Sequence, residues 1–240
     1  MLDKSSQFDV TIAIINYNGS KFLDRALRSC FDQSTSNLKV EILVVDDRST
    51  DDSINYLTRN KYIKNDIRLF RNKKNMGAGY SSRLAVKKSR GRYFMRVDSD
   101  DYINRNTIEI MTNLLNYNKE YGYVFCDHFR TDEFGLKQKI VKLDTQKKLF
   151  LHGAGILFRK NLILKAGNYK SKLREAEDHD LLKNLNKFCK GFYLPIPLYR
   201  YYIHGSNLSQ KGNRKKYLKL INKWKNLKLE KLIFQKINVS

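Results

Sequence analysis

Three acidic clusters hold the groups in this chain best suited to chemistry: Asp46-Asp47, Asp98-Ser99-Asp100-Asp101 and Glu177-Asp178-His179-Asp180. Asp98 and Asp100 flank one residue, a spacing that lets both carboxylates face a divalent ion when they stand at a strand end. Hard oxygen ligands favour Mg2+ or Mn2+, with phosphate oxygens filling further positions. Glu177 and Asp178 suit the positive end of a helix beginning near Glu177. A carboxylate placed there can also serve as a general base.

The elements around these clusters are legible. Val10 to Ile15 and Val40 to Val45 are apolar, β-branched runs expected as strands buried on both faces. Ile67–Phe70 and Tyr93–Val97 are shorter strands of the same kind. Between them lie a helix with Phe22, Leu23, Ala26, Leu27 and Cys30 on one stripe, a helix holding Ile54 and Leu57, and a third opened by Gly77 and Gly79. Ser49 or Thr50 is the expected cap of the second. Strands alternating with helices predict a parallel sheet with right-handed crossovers. Ligands of such sheets bind beyond the carboxyl ends of the strands, where Tyr17-Asn18, Asp46-Asp47 and Asp98 to Asp101 all fall. After about residue 120 the rhythm changes. Tyr123–Phe129 and Lys137–Leu143 flank Asp132-Glu133-Phe134-Gly135 as a hairpin. Ile156–Phe158 is a short strand, Leu181–Phe188 a helix, and Phe192–Ile203 an extended run whose Pro195 and Pro197 suit a sheet edge.

Composition sets the partners. The chain has 240 residues, with 47 Lys plus Arg against 24 Asp plus Glu, a formal charge of +23. Its 41% hydrophobic content excludes a wholly disordered chain. Cys30, Cys126 and Cys189 form no Cys-x-x-Cys pair, and they read as buried, reduced thiols of a cytoplasmic protein. No apolar run approaches the ~20 residues of a membrane span, and no leader-like segment is visible. Residues 211–240 hold ten basic residues against Glu230 alone, with Tyr217, Leu220, Ile221, Trp224 and Leu227 on one helical stripe. That basic amphipathic helix suits peripheral attachment to an anionic membrane, on the inner face of the cytoplasmic membrane. A nucleic-acid-binding protein is a rival reading, but carboxylates at the site would repel a phosphate backbone. A nucleotidyltransferase acting on sugar phosphates is a second, and Asn16 to Lys21 lacks the Gly-rich, Lys-bearing loop expected of one.

The ordered segments IINYN, VVDDRSTDDS, NKKNMGAGYSSRLAVKKSRG, RVDSDD, EDHDL and YRYYIHGSNLS resemble a family 2 glycosyltransferase with the GT-A fold, over roughly residues 8 to 210. Asn16 stands where the family usually has Pro, and Gly167-Asn168-Tyr169 replaces a common Gly-Phe-Asp. The resemblance implies a Rossmann-like, mostly parallel α/β sheet with helices on both faces. One GT-A domain would span 1–210, with a nucleotide-sugar half at about 8–120 and a mixed α+β acceptor half at about 121–210, followed by the basic tail 211–240. It implies inverting, metal-dependent transfer from a nucleoside-diphosphate sugar, a UDP-sugar being favoured, to a saccharide or lipid-linked acceptor in surface polysaccharide or glycan biosynthesis. Tyr17 and Asn18 would open the nucleotide pocket, and Asp46 or Asp47 would contact the base while the other caps the next helix. Gly77 would allow close backbone approach, with Arg83 and Ser99 on the sugar nucleotide. Asp98 would meet ribose or metal, Asp100 would be the main ligand of Mn2+ or Mg2+, and His204 would join the metal or diphosphate. Asp178 would be the general base with Glu177 beside it, and His152 would line the acceptor pocket ahead of Gly153 and Gly155.

Overall fold

A computed structural model describes residues 7–35, 37–60, 66–143, 153–174 and 176–205. His152 and the basic stretch 211–240 lie outside the described residues, as do the expectations placed on them.

The alternating half forms as its apolar runs dictate. Strands β1 (Phe8–Asn16), β2 (Val40–Asp46), β3 (Ile67–Arg71) and β4 (Gly91–Asp98) pair in parallel in the order β3-β2-β1-β4. Helices α1 (Ser20–Phe31), α2 (Ser53–Arg59) and α3 (Ala78–Lys88) make the crossovers. Successive strand residues point to opposite faces. Val10, Ile12 and Ile14 therefore join Leu23 and Leu27 of α1, with Met111 and Leu115 of α4 (Thr107–Tyr117), in one core layer. Ala13, Leu43 and Val45 join Ala85 and Val86 of α3 in the other. The chain lays strands outward from β1 to β3 and then returns to place β4 on the other side of β1, and this switch point opens a crevice at the carboxyl ends of β1 and β4. The register sets three ends side by side: Asn16 opposite Asp46, and Ile15 opposite Asp98.

The second half continues the same sheet. After β5 (Tyr102–Ile103) come β6 (Tyr121–Thr131), β7 (Lys137–Val141), β8 (Leu157–Arg159) and β9 (Lys190–Tyr202), with α5 (Lys160–Lys165) and α6 (Glu177–Leu185) among them. β8 lies antiparallel between β4 and β6, β6 runs parallel to β9, and β5 pairs with β9 only at Tyr199 and Arg200. Among the described residues the sheet has nine strands. The expected hairpin is present, with Phe129 opposite Ile140 and Gly135 at φ +80 in its turn. Pro195 and Pro197 lie beside a register shift at Cys126 and Asp127, beyond the reach of β5, so neither interrupts a regular ladder. α6 begins before the apolar stretch expected for it, at Glu177, and ends at Leu185. Leu181, Leu182 and Leu185 pack it on the same core layer as α3. Cys30 and Cys126 are buried free thiols, and Cys189 is half-buried. Among the described residues no helix is long and apolar enough to cross a membrane.

Candidate active site

The strand ends are braced by their own polar groups. Asn16 Nδ2 donates to Asp46 Oδ1 at 2.9 Å and to Ser49 Oγ at 3.1 Å. Ser49 donates to Asp46 through its backbone N–H (3.0 Å) and its hydroxyl (2.5 Å). Ser49 is thus committed to Asp46 and does not cap α2. Asp52 holds the cap position there, and Asp51 Oδ1 accepts from Ser53 N–H. Asn18, at φ 51, uses its side-chain oxygen to accept from Thr50 N–H at 2.8 Å. Asp47 accepts from Asn72 Nδ2 and from the N–H groups of Met76 and Gly77, all within 2.8 Å. It braces the entry to α3 and not the helix next in sequence. Both Asp46 and Asp47 are buried, at 0% and 2% exposure, whereas Tyr17 is 51% exposed at the crevice mouth.

Two expected nucleotide contacts are occupied from within the protein. Arg83 Nη1 donates to the carbonyls of Gly167 (2.9 Å) and Tyr169 (3.0 Å), tying α3 to the segment between α5 and α6. The backbone approach that Gly77 permits is by Arg174, whose Cγ would lie 2.9 Å from an added Cβ at φ +88. Arg174 is held there by Asn75.

The cation among the carboxylates is Arg96 of β4. Its side chain is 6% exposed and pairs with Asp98 at 3.1 Å and with Glu177 at 2.6 Å. Desolvation opposes its charge, but Asp98 and Glu177 outweigh burial and raise its pKa well above the ordinary value. Burial raises Asp98, reinforced by Asp100 and Asp178 and opposed by Arg96. Burial likewise pushes Glu177 up to about 7, with Arg96 drawing it back. An arginine inside the apolar run Tyr93–Val97 is a readable signal, since a buried charge needs a partner.

The Asp98–Asp101 turn is fixed from β9. Asp101, 1% exposed, accepts from Tyr199 Oη at 2.8 Å and from Tyr202 N–H at 2.9 Å. Ser99 is buried at the start of α1, where a Cβ on Gly19 would come within 2.6 Å of its Oγ. Asp100 faces His204, with Nε2 to Oδ2 at 2.9 Å, and the imidazole stacks on Tyr202 with ring centres 4.9 Å apart. The expected trio is therefore divided: Asp100 and His204 adjoin, while Asp98 turns to Arg96. Among the described residues no three His, Cys, Asp or Glu side chains converge as a metal cage. One carboxylate oxygen and one imidazole nitrogen are a donor set for Mn2+ that leaves positions open to diphosphate oxygens.

Across the crevice, α6 presents Glu177 and Asp178 in its first turn. Ala176 enters the helix at φ 59, a left-handed conformation that costs an L-residue ~1–2 kcal/mol. Asp178 Oδ1 accepts from His179 N–H at 2.8 Å, and the side chain is 10% exposed. Gly153 packs directly on it: an added Cβ would stand 2.0 Å from Asp178 Cβ and 2.3 Å from Oδ2. Gly79 similarly admits the carbonyls of Lys170 and Leu173, which sets α3 against the approach to α6. Buried Arg96 thus joins the acidic turn after β4, through Asp98, to the first turn of α6, through Glu177.

The profile of the glycosyl transferase family 2 matches residues 11–167, more than half of the chain. An uncharacterized glycosyltransferase of Haemophilus influenzae is 32% identical over 124 residues, covering 49% of this chain and 48% of the relative. Chondroitin synthase of Escherichia coli is 36% identical over 101 residues, 42% of this chain and 14% of that enzyme. The chain thus spans about half or less of these two curated relatives. Among solved structures, S. aureus TarS 1-349 in complex with UDP-GlcNAc superposes with a TM-score of 0.72 at 20% identity, covering 89% of this chain and 64% of that one. The mannosyltransferase PcManGT from Pyrobaculum calidifontis, in complex with GDP-Man and Mn2+, gives 0.69 at 15% identity, covering 97% and 70%. The curled, mixed sheet is the GT-A fold expected from the sequence.

Proposed function

The chain belongs to glycosyl transferase family 2, and from that premise we propose that it transfers a sugar, with inversion, from a nucleoside-diphosphate sugar to a hydroxyl of a saccharide or lipid-linked acceptor. The observation that carries the proposal is the gathering of carboxylates around Asp98, on which both Asp100 and Asp178 act, with His204 adjoining Asp100. A UDP-sugar is the favoured donor, and complexes of structural neighbours with UDP-GlcNAc and GDP-Man support a nucleotide sugar. The nucleoside would lie on Tyr17 and Asn18, over the wall that Asp46 and Asp47 brace from behind.

Asp100 and His204 would hold Mn2+ or Mg2+, which when bound supplies positive charge against the departing diphosphate. Asp178 takes the proton from the acceptor hydroxyl as that oxygen attacks the anomeric carbon, and the bond to the diphosphate breaks on the opposite face. Glu177 and Arg96 keep the α6 terminus aimed at the crevice. Gly153 fixes the position of the base. Peripheral attachment through 211–240, on the cytoplasmic side of a membrane, would deliver a lipid-linked acceptor, in keeping with surface polysaccharide or glycan synthesis.

Donor hydrolysis across UDP-, dTDP- and GDP-sugars with Mn2+ tests this reading. One donor should turn over, and Asp178→Asn should abolish turnover while keeping nucleotide binding. Asp100→Ala should lose both turnover and Mn2+-dependent nucleotide binding. Native turnover in either variant would overturn the assigned role.

A further inference from the structure

A second feature adjoins Tyr202, the ring on which His204 stacks. Arg25 of α1 sits 4.9 Å over the Tyr202 ring and 4.7 Å over Tyr102, and Nη1 donates to the Glu133 carbonyl in the β6–β7 turn. No carboxylate lies against this guanidinium among the described residues. Beside it opens a cavity of about 720 Å3 lined by Arg25, Arg28, Arg105, Gln33, Tyr102 and Asp32, among others. Arg28 pairs with Asp24 on the helix surface. Arg105 has no carboxylate partner among the described residues, so the cavity keeps a positive excess.

The adjoining hairpin tip is apolar and open. Phe134 is 80% exposed and Leu136 63%, and Tyr102 Oη donates to Gly135 O, which joins the tip to the cavity wall. Phe31 at the cavity rim is 36% exposed. Glu133 is the exposed acidic residue of the tip, while Lys137 and Lys139 follow it on β7. Two bulky apolar side chains on a turn beside an arginine cavity match the chemistry of a membrane interface, where apolar groups enter the acyl boundary and cations meet lipid phosphates. The basic stretch 211–240 has the same sign as the cavity and is no complement for it; an anionic surface complements both.

We propose that the β6–β7 tip and the arginine cavity together form a docking surface for an anionic phospholipid bilayer. A lipid phosphate sits in the cavity, and Phe134 and Leu136 enter the interface. Because Arg25 and His204 share the Tyr202 ring, docking holds the Asp100–His204 pair beside the lipid plane. The proposal goes beyond the sugar-transfer reading and stands without it.

The test is sedimentation of the full chain with phosphatidylcholine vesicles containing 30% phosphatidylglycerol, against phosphatidylcholine alone. Phe134→Glu/Leu136→Glu and Arg28→Glu/Arg105→Glu alter exposed side chains outside the candidate active site. Each should lower partitioning onto anionic vesicles about tenfold or more with cooperative unfolding retained, the Arg28→Glu change costing only the small contribution of its surface pair with Asp24. Retained binding in both variants would assign attachment to 211–240 and overturn the proposal, as would equal binding of the native chain to uncharged vesicles. Donor hydrolysis measured without vesicles should be unchanged in both variants, so its failure in the native chain bears on sugar transfer alone.

Discussion

Replacing Gly153 with alanine adds one methyl group against Asp178 and changes no charge. The new Cβ would stand 2.0 Å from Asp178 Cβ and 2.3 Å from Oδ2. Carbon atoms pack at about 3.5–4.0 Å, so the aspartate must retreat by roughly 1.5 Å or carry α6 with it. A misplacement of about 1 Å at a reacting group can cost about 100-fold in rate, so turnover should fall by at least about that factor. Gly153 does not have the positive φ of Gly155, which makes the clash the perturbation rather than backbone strain. Overpacking of this kind costs about 1–3 kcal/mol, and each kcal/mol lowers the melting midpoint of a chain this size by about 2–4 °C. The assay pairs donor hydrolysis with calorimetric binding of the donor's nucleoside diphosphate. Binding should stay within about threefold of native while turnover collapses, because the interaction lost belongs to the reacting step. Turnover within about threefold of native in a folded Gly153→Ala protein would show that the position of Asp178 does not govern the reaction.

Three further outcomes follow from the same geometry. Arg96→Met leaves Asp98 and Glu177 without their shared cation, and losing one partner of a buried pair costs about 3–5 kcal/mol; an unchanged urea midpoint would contradict the bridge. Burial pushes the Glu177 carboxyl up to about 7 from 4.5, so the unfolded chain ionises first as pH rises. That group's stabilisation is complete below pH 4.5 and is lost by about pH 7. Glu177→Gln should flatten the fall of denaturant midpoints across this window, and an unaltered slope would assign the fall to other groups. Ala176→Gly should stabilise the protein by about 0.5–1 kcal/mol, because glycine adopts the left-handed entry to α6 without steric cost; a lowered midpoint would show that the Ala176 methyl is needed for packing.

The apolar runs Val10–Ile15, Val40–Val45 and Tyr93–Val97 announce their strands because a strand covered on both faces has no room for polar alternation. The hairpin around Asp132–Gly135 and the proximity of Asp100 to His204 were also legible, the second through family resemblance. What stayed hidden is which polar group takes which partner. Asp46 and Asp47 look alike in sequence, yet one closes on Ser49 three residues on and the other on Met76 and Gly77 about thirty residues on. Arg83 carries a helical charge whose direction depends on the Gly167–Tyr169 segment, and local periodicity says nothing of that segment's position. Arg96 was visible as an oddity in β4, but its second partner, Glu177, is 81 residues away.

The anchoring of Asp101 by Tyr199 and Tyr202 has a consequence for synthesis. The turn bearing Asp98 and Asp100 is made early, but its braces and His204 leave the ribosome about a hundred residues later. A nascent chain can assemble β1 to β4 while Asp100 still lacks its imidazole neighbour. Domains emerge from the amino terminus and close their long-range contacts last, so the proposed sugar transfer would have to wait until β9 docks. A chain cut short before Tyr199 would keep its acidic turn and most of its parallel sheet, yet it would lack the braces on Asp101 and the imidazole beside Asp100 on which the proposed transfer depends.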